Sequence, residues 1–182
     1  MKKLLLILLL LPCTIFGQVN TFPWVRDFDN GIELTNWTGD DGDWLLWSGP
    51  TWSNNTGPQG DHTTGSGNYW YVEASSPNYP YMYFVSQTDT FDISQTPGQI
   101  LSFWYHMYSG YTGMGDLNIW IADNNGWNKI DSIQGNQGDQ WHLKYIDLDG
   151  LGIVGNFTIA FEGIWRLLAS YRWLVWICSI SW

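Results

Sequence analysis

"GPQGDHTTGSGNYWYVEASSP" (57–77) sets a glycine-rich loop carrying Asp61-His62-Thr63-Thr64 directly before an aromatic run that ends in Glu73-Ala74-Ser75. An Asp-His pair suits catalysis or a metal, whereas a loop feeding a strand suits plain architecture. Nucleophilic catalysis needs an activated hydroxyl or thiol beside a base and an orienting acid. Ser48, Ser66, Ser75 and Ser102 are present, but none stands in a Gly-x-Ser-x-Gly turn. His62, His106 and His142 lack zinc spacing. The expectation is that Asp61 and His62 tie the loop down through hydrogen bonds to backbone and hydroxyl groups. His106 alternates with aromatics and is expected to be buried or at a sheet edge. His142 is expected to face solvent.

Outward from this stretch, strand-like runs recur between turn signals. They are "DWLLW" (43–47), "YWYVEA" (69–74), "YMYFVSQTDTF" (81–91), "QILSFWYHMY" (99–108), "DLNIWIAD" (116–123), "WNKIDSIQ" (127–134), "WHLKYIDL" (141–148) and "NFTIAFEG" (156–163). Leu117, Ile119 and Ile121 share one face, with Asn118 and Trp120 opposite. Phe157, Ile159 and Phe161 oppose Thr158 and Ala160. Period-two alternation of β-branched and aromatic residues argues for strands. Asn124-Asn125-Gly126 is a hairpin signal. No helical period stands out, and eight or so strands in one domain predict an all-β, two-sheet sandwich.

The start, "MKKLLLILLLLPCTIFGQ", has two lysines, a short apolar run and then small or polar residues. That is the layout of a secretory signal peptide over residues 1–17, too short to span a bilayer. It predicts a secreted or cell-surface protein. Roughly 165 residues follow, enough for one domain with a sizeable core. Cys13 falls within the signal, so Cys178 alone cannot form an internal disulfide. The formal net charge is −10, and all 17 acidic residues lie between Asp27 and Glu162. Such a surface repels nucleic acid and anionic membrane. Its 14 tryptophans suit a sandwich core or a sugar-binding face.

The blocks "SGPTWSNNTGPQGDHTTGSGNYWYVEASSP", "LSFWYHMYSGYTGMGDLNIWI", "IQGNQGDQWHLKYIDL" and "FTIAFEGI", with "RDFDNGIELTNWTGDDGDWLLWSGP" before them, resemble the MAM domain family. This adhesion module is named after meprin, A5 antigen and receptor phosphatase mu. The resemblance runs from about residue 24 to 164, over several ordered blocks. It implies a jelly-roll β-sandwich of two antiparallel sheets and a noncatalytic role in adhesion or protein interaction, usually inside a larger extracellular protein. Animal members carry four cysteines that this chain lacks; in this it is similar to bacterial secreted relatives. Some members hold a cation among such loops. Carboxylates from "DFDNG" (27–31), "DDGD" (40–43) and the 57–77 loop make calcium the expected ion, with Asp29, Asp43 and Asp61 as candidate ligands. Solvated acidic turns are the plain alternative.

Glycoside hydrolysis needs two facing carboxyl groups. Glu33, Glu73 and Glu162 are the only glutamates, and the latter two end strand-like runs, so no enzyme activity is expected. The predicted function is a secreted interaction module for an extracellular protein or glycan. A carbohydrate-binding jelly roll and a remnant of a larger secreted enzyme or adhesin are the alternatives. An exposed Trp/Tyr row on one sheet would favour sugar.

One segment breaks the pattern. Residues 164–182, "IWRLLASYRWLVWICSISW", hold no acidic residue, two arginines and four tryptophans. The family ends instead in an acidic, alternating strand. The domain is therefore expected to cover 18–163, with 164–182 an aberrant apolar tail from a shifted frame or a truncation. That would leave an exposed sheet edge. A real tail packed on the sheet is the alternative.

Overall fold

The computed structural model describes residues 18–30, 34–75, 77–78, 80–111, 113–165 and 176–181. The expected signal peptide and Glu33 lie outside the described residues. The strands are β1 (Gln18–Val19), β2 (Val25–Arg26), β3 (Thr35–Asn36), β4 (Leu45–Ser48), β5 (Asn68–Tyr71), β6 (Tyr83–Gln87) and β7 (Thr90–Asp92). They continue as β8 (Ile100–Met107), β9 (Asp116–Asp123), β10 (Gly126–Gln134), β11 (Gly138–Asp147), β12 (Asn156–Ile164) and β13 (Trp176–Ser181). No helix among the described residues is long and apolar enough to cross a membrane.

The strands form two sheets, a jelly-roll sandwich as expected. In the first sheet, of 7 strands, β12 is central. It pairs with β9 on one side and with β6 and then β7 on the other. β10 extends the sheet beyond β9 through the Asn124-Asn125 turn. The second sheet, of 6 strands, runs β11-β8-β13-β5-β4, with β2 also beside β13.

Alternation dictates the core. Leu117, Ile119, Ile121, Phe157, Ile159 and Phe161 point inward from the first sheet, and each is 1% exposed or less. Leu101, Phe103 and Met107 of β8 meet them from the second sheet. Phe103 and Phe161 pack edge-to-face across the interface, 5.2 Å between centroids. Buried tryptophans need partners for their N–H groups. Trp70 Nε1 donates to Ser86 Oγ at 3.2 Å, and Trp44 Nε1 donates to the Phe84 carbonyl at 2.9 Å. At one open side, Lys144 of β11 reaches Asp131 of β10 at 2.6 Å.

The expected end of the domain near residue 163 requires correction. Trp176–Ser181 is a strand in the middle of the second sheet, between β8 on one side and β5 and β2 on the other. Ile177 and Ile180 are completely buried. Their spacing of three residues does not fit a period of two. A register shift between them, where β8 advances only from Tyr105 to Phe103, marks a bulge that returns both side chains to the core. The sandwich is therefore not one strand short.

Candidate functional site

The loop of 49–67 folds back over the outer face of the second sheet. Gly57 N donates to the Tyr108 carbonyl, and Gly110 N to the Asn55 carbonyl. Trp141 Nε1 donates to the Gly60 carbonyl at 3.1 Å. Beneath the loop, Tyr69 and Trp141 meet edge-to-face, as do His106 and Trp141. His62 stacks on Trp104. The loop thus covers this face around Trp104, His106 and Trp141, while Leu143 and Tyr145 farther along β11 stay exposed.

Asp61 is the clasp of this loop, as the residue types predict. Its Oδ2 accepts from the backbone N–H of Thr63 and of Thr64, both at 2.8 Å. Its Oδ1 accepts from Thr64 Oγ1 at 2.8 Å and from Gly67 N at 2.6 Å. Burial alone would raise its pKa, but these donors hold the carboxyl below the usual carboxylate range. Asp29 arrives from the other side and accepts from Asn68 N at 2.6 Å. A Cβ on Gly67 would stand 2.6 Å from Asp29 Oδ1, so a larger residue there would push the Asp29 carboxylate aside.

Asp43 does not join them. It belongs to the 38–43 turn, where Asp40 accepts from Val85 N at 2.6 Å and Asp41 from Tyr83 N at 2.9 Å, pinning the turn to β6. Among the described residues, no group of three or more His, Cys, Asp or Glu side chains is placed to hold a metal. The geometry brings Asp29 and Asp61 to one segment and leaves Asp43 elsewhere.

His106 is buried as expected. Desolvation pushes its pKa down to about 4, against the opposing pull of Asp139. His142 differs from expectation. It is half-buried, stacks on Tyr105 at 5.4 Å, and its Nε2 lies 2.9 Å from the Gln137 carbonyl.

The outer face of the first sheet carries no such flap among the described residues. It holds a groove of about 220 Å³ whose floor includes Ala160 and Val85 and whose sides include Trp37, Tyr83, Trp120, Trp127 and Glu162. Trp37 and Trp127 meet at 5.3 Å with 67° between their planes, forming a corner. Trp120 Nε1 and Asn118 Nδ2 both donate to Glu162 Oε2, at 2.9 and 2.8 Å. Trp37 Nε1 donates to Gln87 Oε1 at 2.7 Å. Lys129 lies over the Trp120 ring at 5.9 Å. These residues come from five separate segments, so sequence reasoning did not assemble them. One signal was available: Trp120 stands on the polar side of the cleanly alternating β9.

The fold is a two-sheet β-sandwich with one outer face partly covered by the 49–67 loop and a groove on the other. Residues 27–171 match the MAM domain family (meprin/A5/mu), and the chain belongs to that family. It is 40% identical over 80 residues to MAM domain-containing protein 2 of Mus musculus, covering 43% of this chain and 11% of that protein. It is 31% identical over 127 residues to Neuropilin-1a of Danio rerio, covering 66% of this chain and 13% of that protein. The chain thus spans a small part of the length of these relatives. Its fold is similar to the K2 cleaved adhesin domain of Lys-gingipain, with a TM-score of 0.59 at 13% identity, covering 87% of this chain and 97% of that one. The K1 domain of the same protein from Porphyromonas gingivalis gives 0.54 at 14% identity, covering 88% and 97%.

Proposed function

We propose that this chain is an extracellular, noncatalytic interaction module, secreted through its first 17 residues and presented alone or within a larger protein. The observation that carries the reading is the contrast between the two outer faces. One is partly covered by the 49–67 loop, and the other offers an aromatic groove with fixed polar groups. Membership of the MAM family supports it, as does a fold shared with domains described as adhesin domains. The side chains are those of a binder. Glu162 is the one carboxylate among the groove's lining residues, whereas glycoside hydrolysis uses two. Asp61 accepts four hydrogen bonds from its own loop.

A cation on Asp29, beside the Asp61 clasp, belongs to the same reading. The described cations Arg26, Lys144 and Lys129 lie elsewhere, against Asp89, Asp131 and the Trp120 ring. Calcium would take oxygen from Asp29 and from neighbouring backbone carbonyls, because Asp61 already accepts four hydrogen bonds.

The test is an array of extracellular proteins and glycans probed with the secreted chain, with mass analysis of any captured ligand. Capture of an intact ligand is expected. Cleavage of the ligand, or no capture at all, would contradict the reading.

A further inference from the structure

We propose that the groove on the first sheet takes one ring of a neutral saccharide; this rests on the reading of the chain as an interaction module. The groove's size comes first. About 220 Å³ lies below the roughly 300 Å³ at which sites for drug-sized ligands begin, and suits a single ring. Its surfaces come second. Trp37 and Trp127 form a corner rather than parallel ridges. An extended proline-rich segment docks along an aromatic-lined track, whereas the C–H face of one sugar ring packs into a corner of indoles.

The polar groups are the deciding feature. Trp120 and Asn118 both occupy Oε2 of Glu162, which leaves Oε1 as an acceptor for a ligand. An indole N–H can only donate, so the Gln87 atom facing Trp37 must be the oxygen. This bond fixes the Trp37 ring that walls the groove. Trp120 and Asn118 in turn hold one acceptor of Glu162 in a fixed direction beside an apolar floor. A sugar hydroxyl can donate to that acceptor while its ring packs on the indoles. A purely apolar ligand would leave the acceptor without a partner. An anionic ligand would meet the Glu162 carboxylate and a net charge of −10.

The test is titration of the full secreted chain with cello-, chito-, xylo- and manno-hexaose, read by tryptophan fluorescence and calorimetry. A heparin hexasaccharide and a proline-rich peptide serve as comparisons. At least one neutral hexaose is expected to bind, with Kd on the order of 0.1 mM. Trp127→Ala should weaken it by about tenfold or more. Glu162→Gln should weaken it as well while leaving the circular dichroism unchanged. Trp52→Ala, on an exposed ring of the 49–67 loop tilted against Trp47 of β4, should leave it unaltered. Three results would overturn the proposal: no neutral hexaose bound at about 10 mM, binding indifferent to Trp127→Ala, or binding of the peptide or heparin alone. Capture of a protein on the array alongside such a failure would remove the sugar and leave the interaction module standing.

Discussion

His106 Nε2 lies 3.3 Å from the Asp139 carboxylate, with the imidazole 2% exposed and the carboxylate 58% exposed. Burial disfavours the imidazolium, and its partner, half in water, repays only part of that cost. The folded pKa is about 4 against an ordinary 6.5. The unfolded chain therefore binds a proton near pH 6.5 that the folded chain refuses until about pH 4. Stability falls as pH drops through this window, by on the order of 3 kcal/mol in full. His106→Phe should flatten urea-midpoint stability between pH 6.5 and 5, where wild type declines. An equal decline in both would show that the imidazole is not the titrating group.

The Asp61 clasp makes a second prediction. Asp61→Ala removes the acceptor of the Thr63 and Thr64 N–H groups and of the Thr64 hydroxyl, and one of the two acceptors of Gly67 N. A loss of at least about 2 kcal/mol is expected, with Asp61→Asn recovering part of it. Because the folded pKa is depressed, the carboxylate's contribution is lost as pH falls through the acid range below its ordinary value. Thermal melts of both variants near pH 7 check the magnitude. Wild-type stability in Asp61→Ala would mean the loop is held by its other contacts alone.

Calcium binding at Asp29 should raise the melting temperature, since a ligand confined to the folded state stabilises by mass action. Millimolar calcium should lift wild type and fail to lift Asp29→Asn. Identical melts in calcium and in chelator would remove the ion.

The last strand gives a core test. Ile177 and Ile180 are fully buried, so Ile177→Ala or Ile180→Ala should each cost about 2–5 kcal/mol. Val154→Ala, at a residue 77% exposed, should cost little. If the isoleucine variants melted like wild type, Trp176–Ser181 would not be a core strand.

These residues also explain what could be read beforehand. β9 and β12 were legible because Leu117-Ile119-Ile121 and Phe157-Ile159-Phe161 alternate without interruption. β13 was not, because the bulge between Ile177 and Ile180 puts two inward residues three apart, and its basic, tryptophan-rich surroundings hide it further. β1, β2 and β3 are two residues each, too short for any period. The run 81–91 read as one strand but divides into β6 and β7, with Thr88 between them. There the Thr88 N–H donates to the Ile159 carbonyl and Oγ1 accepts from Ile159 N. The Asp61 clasp was legible because short polar side chains bond their own loop. The groove was not, since Trp37, Tyr83, Trp120, Trp127 and Glu162 meet only once β6, β9, β10 and β12 are laid side by side.

Hydroxyl-radical footprinting, with the chain free and then saturated with the ligand that the array captures, tests most directly whether the open face of the first sheet is where this module binds. Trp127 is 39% exposed in the groove and Trp52 is 77% exposed on the covering loop of the other sheet, so both should be oxidised in the free chain. Bound ligand should protect Trp127 and Tyr83 and leave Trp52 as reactive as before. Protection at Trp52 with none at Trp127 would contradict the assignment and move the binding surface to the opposite side of the sandwich.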